Sequence, residues 1–317
     1  MMDLGRLGER KILENIIFKY LDSERRYIDE DAIFVRVGNK YVIMNVDTFV
    51  RSTDMPKNME YYHAGWRTVT MTMSDIVAKG GSPEAFLCSI TAPVNMDEKD
   101  FEDIIVGIRD ACNFYRCRYI GGDLGSGEDL VISGIGIGLS DKFIARSGAK
   151  IGESVWVTGE FSISAVALHF LLVGGKKITG LETVVKKFFR PIVEPNIALA
   201  LREVASSSID SSDGLAISLN EISRLSNVAI VLEKIPIADV VNDYARINNL
   251  DPLEMALYCG EEYEIIFTTG LPEREVYSIF KRLGLKRPIK IGSVTRGVGV
   301  YYDGKRIPRK GWEHFKK

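Results

Sequence analysis

Ser208-Ile209-Asp210-Ser211-Ser212-Asp213-Gly214-Leu215 places two carboxylates three residues apart, with hydroxyls between them and a glycine after the second. An apolar run with helical spacing follows, from Leu215 to Leu225. The stretch therefore predicts a short strand over 206–210 that gives way to a helix N-terminus. Such a terminus offers free N–H groups and favours anions. Two extra negative charges there make sense if a cation sits between the carboxylates and an anionic ligand. The plainer reading is an N-cap, because Ser and Asp both cap helices well. The rest of the chain decides between them.

Downstream, strands are expected over 228–233, 265–268, 289–294 and 299–302. Helices are expected after Pro252 and over 272–283. Upstream, helical spacing predicts helices over 162–172, 181–188 and 197–205, after a strand over 154–158. The basic, glycine-rich turn from Ala145 to Glu153 marks a change of character, and a domain boundary is placed near Lys150, giving domains 1–150 and 151–317. In the first half, 4–20, 61–79 and 97–115 read as helices. Strands are expected over 31–37 and 40–46, joined by a Gly38-Asn39 turn, and over 84–91 and 130–139. Tyr119-Ile120 reads as a strand end opening into a Gly121-Gly122-Asp123 turn. Strand 130–139 carries Gly134, Gly136 and Gly138, which lets another backbone approach closely. Alternating helices and strands indicate α/β or α+β layers.

The composition is that of an ordinary globular chain, with 46% hydrophobic and 26% charged residues among 317. A formal charge of −2 argues against non-specific nucleic-acid binding. No apolar run reaches the ~18 residues that span a bilayer, and the polar start from Met1 to Arg10 does not resemble a signal peptide. Cys88, Cys112, Cys117 and Cys259 lack metal-site spacing and read as reduced thiols of a cytoplasmic protein. With only three histidines, a zinc site or histidine-based catalysis is not expected.

The informative residues are acidic. Asp31, Asp47, Asp75, Asp123, Asp210 and Asp213 each border an apolar strand or helix, at an element end or on a face that otherwise reads as buried. Asp75 lies inside a helix between apolar neighbours, where aspartate is a poor helix former and its burial is costly without a partner. If these carboxylates converge, their repulsion calls for cations. Hard divalent ions with oxygen ligands fit best, Mg²⁺ first, and Mg²⁺ favours a few carboxylates together with substrate phosphates. The chain thus points to nucleotide phosphates handled through Mg²⁺. It contains no GxxxxGK[ST] loop, no dinucleotide fingerprint opening a helix, and no protein-kinase pattern.

Seven segments, in order and nearly end to end, are similar to motifs of the thiamine-monophosphate kinase family, within the aminoimidazole ribonucleotide synthetase-like superfamily. They are Asp29-Glu30-Asp31-Ala32, Val46-Asp47-Thr48-Phe49-Val50, Thr72 to Gly81, Gly121-Gly122-Asp123, Arg146 to Glu153, Ile209 to Leu215, and Cys259 to Ile265; Trp312-Glu313-His314-Phe315 resembles the closing motif. Some positions depart from the pattern. Glu30 replaces an aspartate, Val46 a threonine or serine, and Asp54 stands where many members have histidine.

The resemblance implies a two-domain α/β (α+β) fold whose N-terminal mixed sheet pairs with its copy in a homodimer to form a barrel, with ATP beside that interface. It implies transfer of phosphate from ATP to thiamine monophosphate with several Mg²⁺ ions. Metal contacts fall on Asp31, Asn45, Val46, Asp47, Asp75, Asp123, Asp210 and Asp213, with Val46 restricted to its backbone. Gly122, Asp123, Arg146 and Ser212 fall at the nucleotide, and Asp54, Glu261 and Trp312 at the thiamine phosphate. Rival readings are a purine-precursor synthetase-like superfamily member and a non-catalytic nucleotide-binding regulator. The synthetase's Asp-Gly-Val-Gly-Thr-Lys is missing, as are the reactive Cys-Lys segment of selenophosphate synthetases and the C-terminal cysteine of hydrogenase-maturation members.

Overall fold

The computed structural model describes residues 3–22 and 27–315. Its N-terminal part is a five-stranded sheet of β1 (Ile33–Val37), β2 (Lys40–Val50), β3 (Ser82–Pro93), β4 (Arg118–Gly127) and β5 (Val131–Ser140), in the order β1-β2-β5-β3-β4. Only the β3–β4 pair is parallel. Ahead of the sheet, 4–20 is not one helix. Gly8, at φ 74°, separates α1 (Leu4–Leu7) from α2 (Glu9–Asn15), and a single 3-10 turn follows. The short helix α3 (Arg51–Asp54), not foreseen in the sequence, leaves the end of β2.

Helices α4 (Tyr61–Ala78) and α5 (Glu98–Tyr115) cover one face of the sheet. The glycines of β5 explain how closely α4 sits. A Cβ on Gly134 would lie 2.6 Å from Thr72 Oγ1, one on Gly136 2.8 Å from Thr72 Cγ2, and one on Gly138 2.3 Å from Ile76 Cγ2. The glycine stripe thus accommodates a helix rather than a second sheet. On the opposite face the register lines up Ile33 with Met44, Val35 with Val42, and Val46 with Ile135.

Two further expectations are corrected here. β2 does not stop at Val46 but continues to Val50, so Asp47 is mid-strand. Gly121-Gly122-Asp123 is not a turn, because β4 runs through it. Between Phe86 and Cys88 of β3 the register shifts, with the extra residue on β4 between Tyr119 and Gly122, and a Cβ on Gly122 would lie 1.7 Å from the Cys88 carbonyl oxygen.

The C-terminal part holds a seven-stranded sheet ordered β12-β11-β8-β10-β6-β9-β7. Its strands are β6 (Ser154–Val157), β7 (Ser207–Ile209), β8 (Ala229–Leu232), β9 (Ile266–Thr269), β10 (Ile289–Thr295), β11 (Gly299–Tyr302) and β12 (Lys305–Ile307). Around it lie α6 (Ile163–Val173), α7 (Leu181–Phe189), α8 (Ile197–Val204), α9 (Leu215–Ser226), α10 (Asp239–Asn248), α11 (Pro252–Tyr258) and α12 (Glu273–Arg282). Of these, α10 and β12 are not foreseen in the sequence. One apolar cluster joins the two parts, running from Ile43, Trp66 and Met73 to Trp156, Leu201 and Phe267. Among the described residues no helix is long and apolar enough to cross a membrane.

Candidate active site

The site forms where α4, β2 and the start of β7–α9 meet. Carboxylate oxygens of Asp31, Asp75 and Asp210 lie within 4.8 Å of one another. Each comes from a different element. Asp31 precedes β1, Asp75 points from the last turns of α4, and Asp210 follows β7. Asp210 is 2% exposed and accepts hydrogen bonds from Ser74 Oγ at 2.6 Å and Ser212 Oγ at 3.0 Å. Asn45 Nδ2 bridges the next pair, donating to Asp47 Oδ2 at 2.9 Å and to Asp75 Oδ2 at 2.5 Å.

The electrostatics show the cost of this convergence. Burial and the charge of Asp210 push the Asp47 carboxyl up to about 6. Asp75 is held well above the usual carboxylate range by burial, then by Asp210 and Asp47. Burial, Glu9 and Asp210 push Asp213 up to about 7. Mutual repulsion and desolvation both disfavour the charged forms. A divalent cation would relieve both, and all the donors are hard oxygens, so the residues fit Mg²⁺.

The remaining predicted residues divide. Asp123 is exposed on β4 and lies outside the close group. Val46, on β2, is 60% exposed and turns its side chain away from Asp47. The Arg146 guanidinium pairs with Asp31 and donates to the Asp29 carbonyl at 3.2 Å. Asp54 accepts from Val50 N at 2.7 Å and so ties off the end of β2. Glu261 is brought beside the aspartate loop by Gly260, where a Cβ would lie 2.3 Å from the Ser212 carbonyl oxygen. The Glu261 amide donates to that same oxygen at 2.7 Å. Its carboxylate pairs with the buried Arg67 and accepts from Tyr263 Oη at 2.9 Å. Trp312 is half exposed, and its amide donates to the Asp213 carbonyl at 3.0 Å.

Nor is the aspartate loop a plain helix cap. Gly214 occupies the N-cap of α9, at φ 116°, and no side chain caps the helix. Asp210 and Asp213 are thus left for other work.

The N-terminal domain of AIR synthase related proteins matches residues 29–140. The thiamine-monophosphate kinase of Aquifex aeolicus is 30% identical over 99% of this chain and 100% of its own length. That of Pyrococcus horikoshii is 34% identical, with 99% and 98% covered. The solved structure of AaThiL complexed with AMPPCP and TMP superposes with a TM-score of 0.90, at 30% identity and 99% coverage of each chain.

The chain belongs to the thiamine-monophosphate kinase family.

Within this thiamine-monophosphate kinase framework, three residues near the aspartates were missed at the level of sequence. Ser74 holds Asp210. Arg67 holds Glu261, donates to the Phe188 carbonyl at 2.6 Å, and lies over the Phe188 ring. Lys79, 0% exposed, lies 2.7 Å from Asp31 and 2.8 Å from Glu30. The available signal was a charged residue inside an apolar run: Arg67 between Trp66 and Val69, and Lys79 after Ile76-Val77-Ala78. A buried cation requires a buried anion.

Proposed function

We propose that this chain phosphorylates thiamine monophosphate to thiamine diphosphate, with ATP as donor and Mg²⁺ as the required metal. The observation that carries the reading is the convergence of Asp31, Asp75 and Asp210, from the ends of two sheets and a helix, onto one spot. Full-length similarity to thiamine-monophosphate kinases supports it, as does the likeness to a structure holding AMPPCP and TMP.

The division of labour follows from the donors. Asp31, Asp47, Asp75, Asp123, Asp210 and Asp213 would hold the metal ions, with Asn45 fixing two of these carboxylates. When bound, Mg²⁺ supplies charge neutralisation at the transferring phosphoryl group. Ser212 and the backbone at Gly122 face the nucleotide phosphates. Glu261, oriented by Arg67 and Tyr263, offers a fixed negative charge to the cationic thiamine ring. Trp312 offers a ring face beside it. Asp54 stands near the acceptor phosphate end. The acceptor is already an anion, so no general base is needed, and catalysis rests on positioning and fixed charge.

Residues 1–150 form the nucleotide-binding and dimerising part and 151–317 the part that completes the site. The unit is a homodimer joined through the open face of the five-stranded sheet. Incubation with ATP, Mg²⁺ and thiamine monophosphate should yield thiamine diphosphate and ADP in equal amounts. Turnover of an aminoimidazole precursor in its place would overturn the reading.

A further inference from the structure

The closing segment, residues 311–315, is tied down on both sides of Trp312. Ahead of the ring, a Cβ on Gly311 would lie 2.5 Å from the Asp213 carbonyl oxygen, and the Trp312 amide donates to that oxygen at 3.0 Å. Beyond the ring, the segment is held by α2. The Glu9 amide donates to the His314 carbonyl at 3.3 Å, and the Glu9 carboxylate accepts from the His314 amide at 3.1 Å. The Arg10 amide donates to Glu313 Oε1 at 3.4 Å. The Arg10 guanidinium lies 3.7 Å from Glu313 Oε2 and donates to the Trp312 carbonyl at 3.5 Å. α1 passes the same segment, where a Cβ on Gly5 would lie 3.7 Å from the Phe315 carbonyl oxygen.

One pair dominates this docking. Neither α1 nor α2 has a buried residue, so apolar packing holds them weakly and polar contacts carry the attachment. The bonds to the His314 amide and the Trp312 carbonyl are exposed and contribute modestly. Arg10 and Glu313 differ, with side chains 22% and 6% exposed. A carboxylate so buried needs its cation, and the same guanidinium reaches the Trp312 carbonyl, so the pair and the backbone of the ring form one unit. α2 also brings charge to the aspartate loop: after burial, Glu9 is the next cause of the raised Asp213 carboxyl. We propose that Arg10 and Glu313 form a latch, two positioning residues that hold the Trp312 ring at the thiamine end of the site by docking α2 on the closing segment. This rests on the reading of Trp312 as a ring face for thiamine monophosphate. Both residues act through Trp312, so the latch governs the acceptor and not ATP.

Of the three tryptophans, Trp66 and Trp156 are 0% exposed and Trp312 is 54% exposed, so acrylamide quenching of fluorescence reports on Trp312. Thiamine monophosphate should shield Trp312 of the wild type from acrylamide. Arg10 lies on a helix with no buried residue, so Arg10→Gln should fold as the wild type does. In this variant the concentration needed for shielding and the KM for thiamine monophosphate should both rise about tenfold, the worth of one cation–π contact. Its kcat and its KM for ATP should stay near the wild-type values. Glu313→Gln, of the same shape, should behave alike, and the double variant should lose no more than either single one, because the two residues act as a unit. Arg10→Lys, which keeps a charge beside Glu313, should recover most of the loss. Wild-type shielding and KM in Arg10→Gln, a loss spread equally over kcat and the KM for ATP, or losses that add in the double variant would each overturn the latch. A wild-type protein that turns over thiamine monophosphate while Trp312 stays fully quenchable overturns the placing of that ring. One that does not turn it over overturns the kinase reading itself.

Discussion

At the scale of single residues, the site is a set of carboxylates brought together against their own preference. Asp75 shows this most plainly: it is partly buried, and both Asp210 and Asp47 resist its ionisation. Replacing it with asparagine keeps the shape, and the amide oxygen can still accept from Asn45 Nδ2. Without metal, Asp75→Asn should therefore be at least as stable as the wild type by thermal midpoint. In the presence of Mg²⁺, kcat should fall by about a hundredfold or more, the usual cost of removing one preorganised electrostatic group. Wild-type turnover by this variant would remove Asp75 from the metal set. Asp31, Asp75 and Asp210, which the fold brings together, were legible because each borders an apolar strand or helix. The partners that fix the site were not, because Arg67 meets Glu261 and Asp31 meets Arg146 across long separations that carry no local signal. Arg146 is the instructive case. Its place in a glycine-rich turn suggests a phosphate, and nothing local in the sequence signals the pairing with Asp31.

At the scale of elements, the helices and strands were legible wherever side-chain periodicity was uninterrupted, as in α4, α5 and β5. Boundaries failed where polar residues continue a strand, as at Asp47 in β2 and Gly122-Asp123 in β4. The glycines of β5 are a packing device under α4. Gly138→Ala would put a methyl 2.3 Å from Ile76 Cγ2 and 3.1 Å from the Ser82 carbonyl oxygen. It should cost about 1–3 kcal/mol in urea denaturation, the usual price of overpacking; an unchanged midpoint would mean that α4 is free to lift. The start of α6 supplies a pH-dependent prediction. Glu262 accepts from the Ser164 amide at 2.9 Å. Burial foremost, with Glu264 adding to it against the hydrogen bonds from Ser164 and its neighbours, pushes Glu262 up to about 8. The folded chain then holds a proton that the unfolded chain releases near the ordinary value of 4.5. This contribution to stability is present at low pH and is lost as pH rises from about 4.5 through about 8. Glu262→Gln should match the wild type at about pH 5 and exceed it at about pH 9 in denaturant midpoint. Parallel pH profiles for the two proteins would contradict this placement of the proton.

At the scale of the whole molecule, the five-stranded sheet has helices on one face only. The other face carries apolar side chains in register: Val35 beside Val42, Ile33 beside Met44, and Val46 beside Ile135, which also lies opposite Leu87 on β3. Several of these are well exposed, with Ile33 at 56%, Val35 at 52% and Val46 at 60%. A contiguous apolar face of this kind marks an interaction surface, and a sheet can present it to an identical sheet through a two-fold axis. A sheet face five strands wide is large enough for the roughly 1,000 Å² that a specific interface needs. Light scattering with gel filtration should therefore give a dimer at micromolar concentration. Ile135→Lys places a charge at the centre of the face, between Val46 and Leu87, while its side chain points away from α4. It should give a monomer with a near-native circular dichroism spectrum, because burying an unpaired charge at an interface is costly whereas exposing one on a monomer is not. A wild-type protein that runs as a monomer would leave this face without the occupant proposed for it. A dimer that survives Ile135→Lys would place the contact elsewhere on the molecule.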